Sequence, residues 1–411
     1  MQVSLLDPQS PTWTVDVDRL YARLGGAENP HLFPYHFFQI VLTQIGGHVA
    51  LIGQEGVERA VALLFPRSFQ NGQATYTGRI YPFGKDGLID WSVLQATVQD
   101  AFEDADIVWY DPAQPQPYEA IHRSIGGVDI GRPDAAEAAI IRSLQQQIWG
   151  NPPEFLYPVA MHNPAFGLGT SLVARVDGQT AGFLFGFTKF GGSPLPADWN
   201  LRFGGGLRLE SQTMGVLPAY RGLRLGYLLK KVQSEDALAS GVRLINWTVD
   251  PLQYPNAALN FGLLRAVTFN FTPHYYPFRN KLNRVPASRF SLTWLIDSAR
   301  VRTMPLIGAT ATVVDLRRQP IVRINDGWHW LYKDADTRLI AIEIPTDWTI
   351  LQHENLDEAL RWRTVTDQIF AHYIGRASGQ YVVTDIGVDG DRRFLIAERA
   401  DDALWARLGE G

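Results

Sequence analysis

The sequence predicts an α/β (α+β) chain in which one unit, a mixed and largely antiparallel sheet flanked by helices, occurs twice. Three observations carry that expectation. At 411 residues the chain is too long for one ordinary hydrophobic core. Stretches of strand and helix periodicity alternate along it. The order helix, hairpin, strand, helix, strand, Asp-Pro runs once up to Asp111-Pro112 and again up to Asp250-Pro251. A repeated order of elements is most economically two copies of one unit.

In the first copy, residues 18–45 carry an amphipathic helix pattern, broken at Gly25-Gly26 and resumed around Tyr35-His36-Phe37-Phe38. Strands are expected at 48–53, 59–65 and 74–81, a helix at 90–102 and a strand at 106–110. Pro112, Pro115 and Pro117 mark a link. In the second copy Pro133 and Asp134 start a helix that runs to Trp149. Asp177-Gly178 turns a hairpin between 172–176 and 180–187. A central strand, a helix and a strand at 243–249 follow, then a helix at 256–265 and closing strands at 268–275 and 289–296. Residues 301–411 begin with short strands at 309–314 and 328–332. They then repeat the closing order: strand 339–344, helix 356–374, strands 381–386 and 393–397. The first copy lacks this closing third. The C-terminal segment is therefore expected either to complete the first copy in space or to form a small α/β domain of its own. The expected domains are 1–125, 131–300 and 301–411.

Residues 209–239, LESQTMGVLPAYRGLRLGYLLKKVQSEDALA, hold the second copy together. Period two places Glu210, Gln212, Met214 and Val216 on one face of a strand and Ser211 and Thr213 on the other. Pro218 cannot donate to a ladder and ends the strand. Tyr220-Arg221-Gly222-Leu223-Arg224-Leu225-Gly226 then leads into a helix that closes at Ser240-Gly241, where glycine suits a C-terminal cap. A strand feeding a glycine-bearing turn at a helix N-terminus is a ready anion site, because free N–H groups and the positive end of the dipole share one concavity. A Walker loop would end in Gly-Lys-Ser/Thr, whereas this helix opens Gly226-Tyr227-Leu228. The dinucleotide fingerprint has its glycines earlier in the turn.

The segment resembles the GNAT acyltransferase superfamily, whose pattern is a strand, then Val-x-Pro-x-(Tyr)-Arg-Gly-x-Gly-x-Gly/Ala. Arg221, Gly222 and Gly226 match it. Arg224 replaces the middle glycine, which implies an ordinary φ there and an added positive side chain. INWTVDPLQYPNAALNFGLLRAV and RFSLTWLIDSARV are similar to a predicted bacterial GNAT acyltransferase family, over about 131–300. The resemblance implies tandem GNAT folds. The first would be degenerate, with Tyr81-Pro82-Phe83-Gly84-Lys85-Asp86-Gly87 where the second has its Arg-Gly loop. It implies an acyl-coenzyme A co-substrate, acetyl-CoA or another acyl donor. The pyrophosphate would lie on the amides of Arg221, Gly222, Leu223, Arg224, Leu225 and Gly226. The thioester arm would lie beside a bulge in the central strand, facing Met214, Gly215 and Val216. Asn256 and Asn260, four apart on one helical face, resemble further coenzyme A contacts. The activity implied is direct N-acylation of a small-molecule amine, with an amino acid as one such acceptor.

Acyl transfer to an amine requires the amine to lose a proton and the thioester oxygen to be stabilised; the thiolate can leave with or without an acid. Glu210, eleven residues before Arg221, stands where several relatives place a glutamate base. The alternative for Glu210 is a structural pair with Arg208 or another arginine at a strand end. Gln212 is the candidate for orienting substrate. The family's acid is a tyrosine at the place of Phe261, so the acid falls to Tyr254, Tyr275 or Tyr276, or to solvent.

A net charge of -5 gives no reason to expect a nucleic-acid partner. With no cysteine, disulfides, thiolate metal sites and a cysteine nucleophile are excluded. The histidines nowhere form a close ligand pair such as His-x-x-x-His, so no metal is expected. His274 reads as a packed or rim residue. The opening MQVSLLDPQSPTWTVD lacks the basic start and apolar run of a signal peptide, and no apolar run reaches about 18 residues. A cytoplasmic protein without a membrane partner is expected. The oligomeric state stays open, a homodimer being one arrangement. Two other readings stand beside the enzyme: a GNAT fold that holds acyl-CoA without turnover, and an acyltransferase acting on protein side chains.

Overall fold

The structure, a computed structural model, describes residues 1–84, 90–118, 122–150, 152–192, 194–203, 206–276, 284–305 and 308–411. Lys85, Asp86 and Gly87, which the sequence places at the first copy's counterpart of the Arg-Gly loop, lie outside the described residues. The chain forms two compact units, residues 1–194 with 204–242, and residues 195–203 with 243–411.

The first unit opens with a five-stranded sheet of β1 (Gln2–Leu5), β2 (His48–Gln54), β3 (Val57–Gln70), β4 (Gln73–Pro82) and β5 (Ala105–Trp109), in that spatial order. The first four are antiparallel, and β5 runs parallel to β4. A parallel step needs a crossover. The helix Trp91–Asp100 supplies it, started by Asp90, whose carboxylate accepts from the amides of Ser92 and Val93. Gly78 is required where the parallel pair comes closest, since a Cβ there would lie 2.6 Å from Ile107 and Trp109. The helix pattern expected over 18–45 becomes a helix at Trp13–Arg23 and a π-helical stretch at Phe37–Val41.

The same unit continues with β6 (His122–Ile125), β7 (Val128–Gly131), β8 (Thr170–Val176), β9 (Gln179–Phe190) and β10 (Leu207–Val216), each antiparallel to the next. The β6–β7 hairpin has no alternation to mark it in the sequence. Gly126 and Gly127, with φ of 59° and 83°, turn it. The helix Ala135–Trp149 begins in a capping box of Asp134 and Glu137 and ends at Gly150 with φ of 64°. Phe183, Phe185 and Phe187 of β9 join Phe33, Phe37, Phe65, Tyr157 and Phe166 in one aromatic core under both sheets. Edge-on and tilted ring pairs such as Tyr157–Phe185 at 5.0 Å pack it.

In the second unit β13 (Ala287–Leu295) pairs antiparallel with β11 (Leu244–Val249) and with β12 (Phe271–Tyr276). Its other sheet has the order β14 (Val313–Asp315), β19 (Tyr381–Asp389), β20 (Arg392–Arg399), β18 (Leu339–Ile344), β15 (Val322–Arg323), beside the short pair β16 (Asn325–Asp326) and β17 (His329–Trp330). Thr268 bridges to Val383, and its neighbour Val267 bridges to Thr293. The C-terminal strands thus pair among themselves and with Thr268, while among the described residues the N-terminal sheet consists of β1–β5. Completion of the first copy by the C-terminal segment is therefore overturned. An order of elements says how strands alternate, but the choice of edge is made by side-chain packing. Here Val382 is buried with Trp199, Phe269 and Trp405.

Three helices that the sequence pattern does not announce, Ala197–Phe203, Trp348–Glu354 and Asp402–Gly409, belong to this unit. Asp250, the second Asp-Pro, is buried and accepts from Arg363 at 2.7 Å and from Trp348 Nε1 at 3.2 Å. Burial opposes its charge, but Arg363 and Arg289 overcome this and hold the carboxyl below its ordinary range. Asp111, its echo, caps its own loop through the Ala113 amide. The observed class, mixed and largely antiparallel sheets flanked by helices, is the one the sequence predicts.

Candidate functional site

β10 carries a bulge. Glu210 stands opposite Phe187 and Thr213 opposite Phe185, so β10 takes three steps where β9 takes two. Directly opposed residues share a face. Glu210, Thr213 and Gly215 therefore share the face of Phe187, Phe185 and Phe183, while Met214 and Val216 share that of Leu184 and Gly182. The single face expected for Glu210, Gln212, Met214 and Val216 is corrected by the extra residue, which inverts the alternation midway. Gly215 lets the helix Ala135–Trp149 approach: a Cβ there would lie 2.8 Å from Ile148 and 2.9 Å from Phe183.

Each bulge residue has a polar partner. Lys189 Nζ donates to Glu210 Oε2 at 2.8 Å, with the two side chains 12% and 14% exposed. The hydrogen-bonded partner of Glu210 is thus Lys189, across the strand pair, and not the adjacent Arg208. Arg208 lies within reach of the same charge: burial lowers its pKa and Glu210 opposes the shift. Lys230 Nζ donates to Ser211 Oγ at 2.8 Å from the helix Leu225–Ala239. Burial pushes the Lys230 ammonium down to about 7, against the opposing charge of Glu210. Gln212 Nε2 donates to the Tyr157 hydroxyl at 2.9 Å, and that oxygen lies 3.3 Å from His36 Nε2. Burial lowers His36 to about 4, which keeps the ring neutral. Sequence reasoning missed Lys189, Lys230, Tyr157 and His36 as neighbours of this strand. Only the pairing register and the packing of the helix bring them to it.

The loop after β10 is a 3₁₀ turn, Pro218–Tyr220, followed by exposed Arg221, Gly222, Leu223 and Arg224. Gly222 has φ of 91°, and a Cβ on it would meet no protein atom within 4 Å. Its glycine is needed for backbone conformation rather than space. Arg224 has φ of 59° and is the N-cap of the helix Leu225–Ala239. The ordinary φ expected for Arg224 is thus corrected: the arginine adopts left-handed geometry that favours glycine. Among the described residues no side chain caps this helix. The first-turn amides, Leu225 and Gly226 among them, have no acceptor within the helix. Arg224 also places charge at the helix start, where it opposes the upward shift that burial gives Tyr227. Unbonded first-turn amides beside the Arg224 charge are the kind of donor group that suits a phosphate or pyrophosphate.

The other candidates lie in the second unit. Asn256 is exposed on the helix Tyr254–Ala257, while Asn260 is 3% exposed within the π-helical stretch Ala258–Leu263. The common exposed face expected for this pair is corrected, because Asn260 is buried where Asn256 is exposed. Tyr275 lies on β12, edge-on to Tyr276 at 4.8 Å. Phe261 is buried, as is expected of an apolar residue at the tyrosine's place. Tyr254 is half-buried, with its pKa raised by burial and opposed by Arg393. His274 is exposed.

No family model matches the sequence, and no curated protein is similar to it. Among solved structures, the chain is similar to a GNAT-family acetyltransferase from Streptococcus pneumoniae, at 14% identity and TM-score 0.29, covering 40% of this chain and 97% of that one. It is similar to the ribosomal-protein-S18-alanine N-acetyltransferase from Escherichia coli, at 14% identity and TM-score 0.30, covering 42% and 96%. It is also similar to the diaminobutyrate acetyltransferase EctA from Paenibacillus lautus, solved with L-2,4-diaminobutyric acid and coenzyme A, at 17% identity and TM-score 0.29, covering 43% and 95%. Among the described residues no helix is long and apolar enough to cross a membrane.

Proposed function

We propose that the chain is an acyl-CoA-dependent N-acyltransferase acting on a small-molecule amine in a ternary complex, with residues 131–300 as the working copy and 1–125 as a degenerate one. The observation that carries this reading is the bulged strand β10 running into a loop with left-handed backbone at Gly222 and Arg224 and an uncapped helix. That loop fits the pyrophosphate of coenzyme A through the amides from Arg221 to Gly226. The acyl donor supplies an activated carbonyl on a good leaving group. Glu210 takes the proton from the acceptor ammonium. The freed nitrogen attacks the thioester carbon near Met214, Gly215 and Val216, the carbon–sulfur bond breaks, and the thiol leaves with a proton from solvent. Gln212, tied to Tyr157, fixes the strand beside the reacting groups. The setting is cytoplasmic.

The test is release of free thiol from several acyl-CoA donors against a panel of amines and amino acids, with wild type and Glu210→Gln. Turnover on at least one pair is expected. The variant should be slower by about 10²–10⁴-fold, the scale of general-base catalysis, with coenzyme A affinity unchanged. Binding of acyl-CoA without thiol release against any acceptor would make the protein a binding module. Turnover only with peptide lysines would make it a protein acyltransferase. Absence of coenzyme A binding would end the reading.

A further inference from the structure

We infer that Lys189 and Arg208 bind an anionic group of the acceptor, so that the amine acylated beside Glu210 belongs to a molecule that also carries a carboxylate, as an amino acid does. The inference rests on Glu210 being the base of the proposed reaction. The register of the β9–β10 pair carries it. Arg208 stands directly opposite Lys189, and Glu210 directly opposite Phe187. Directly opposed residues share a face, and so do residues two apart on one strand. Arg208, Glu210 and Lys189 therefore lie on one face, ahead of the bulge that follows Glu210.

Among these three side chains the charges are two positive and one negative. Lys189 Nζ donates to Glu210 Oε2 at 2.8 Å. Arg208 is 6% exposed, and Glu210 is the charge that opposes the effect of burial on it. The two cations are neighbours in space as well as in register, because a Cβ on Gly192 would lie 2.6 Å from Arg208 Nη1 and 3.2 Å from Lys189 Cε. Like charges directly opposite on adjacent strands destabilise a sheet. Taking them out of water raises the cost. An anionic group beside them offsets it. Lys189 and Glu210 keep 12% and 14% of their side chains exposed, so a small molecule can reach them. An acceptor ammonium can take the place that Lys189 holds at Glu210 Oε2, since both are ammonium donors. Lys189 then turns with Arg208 to the acceptor's own carboxylate, which the guanidinium fork suits. An amine without an anionic group brings this face only further positive charge.

Thiol-release kinetics of the full chain test the inference, with each L-amino acid of the acceptor panel run beside its own amide. The acid is expected to exceed the amide by at least ten-fold in kcat/KM. Lys189→Met should bring that ratio close to one, chiefly through KM for the acid. Lys189→Arg keeps the charge and should keep the ratio. Arg208→Lys keeps the charge but loses the fork, and should lower the ratio several-fold. A general loss of stability or turnover cancels from the ratio, because acid and amide are compared on one variant. Amides used as well as acids, or a ratio that Lys189→Met leaves unchanged, would overturn the inference while the acyltransferase reading stood. Absence of thiol release with every acceptor would end that reading, and this inference with it.

Discussion

A lysine beneath a sheet can lower its cost by finding acceptors or by giving up its proton, and Lys230 does both. It donates to Ser211 at 2.8 Å, and burial brings its pKa down from 10.5 to about 7. Between those two values the unfolded chain holds a proton that the folded chain does not. Unfolding then takes up a proton, and stability rises with pH through that interval. Lys230→Met removes both the titration and the penalty. In denaturant unfolding from pH 7 to 10, wild type should gain on the variant by on the order of 1 kcal/mol per pH unit. Parallel stability curves would mean that Lys230 stays charged when folded. The position looks like an ordinary surface lysine in LLKKVQSEDALA. Only the burial of nearly the whole first half of the helix makes it otherwise.

At the scale of the element, the start of the helix Leu225–Ala239 holds an arginine in a backbone region that costs an L-residue about 1–2 kcal/mol. Glycine avoids that strain but adds about 0.5–1 kcal/mol of unfolded-state entropy. Arg224→Gly should therefore be neutral to stabilising by up to about 1 kcal/mol, and should weaken coenzyme A binding through the lost charge, most visibly at low salt. Arg224→Val should destabilise by about 1 kcal/mol or more, because a β-branched residue tolerates this region worst. Thermal unfolding of the two variants separates them. Loss of stability in Arg224→Gly would show that the side chain, and not the backbone geometry, holds the loop.

At the scale of the whole molecule, two stretches share an order of elements, but only one has an Arg-Gly loop. The first reaches the corresponding place with Tyr81 and Pro82 at the end of β4, and Pro82 has no amide proton to offer a phosphate. One coenzyme A per chain is therefore expected in titration. A stoichiometry of two would give the first copy a phosphate site of its own.

The alternation of strand and helix, the helix start at Asp134, the turn at Asp177-Gly178 and the Arg-Gly loop were legible because each is a local preference of a few neighbouring residues. The candidate site was legible to the same depth: the loop and the strand before it, but not their partners. The bulge in the central strand was implied by the resemblance, but its place at 210–213 and the one-residue register shift it brings are not announced by Gln212 or Ser211. The pairing of Lys189 with Glu210, the burial of Lys230 and the link from Gln212 to His36 depend on residues brought together from 19 to more than 100 positions away. The place of the C-terminal strands was likewise decided by packing, with Val382 seated among Trp199, Phe269 and Trp405. Period and turn chemistry act over neighbours along the chain, whereas a sheet edge, a buried charge and a bulge are settled by whichever distant side chains satisfy them together.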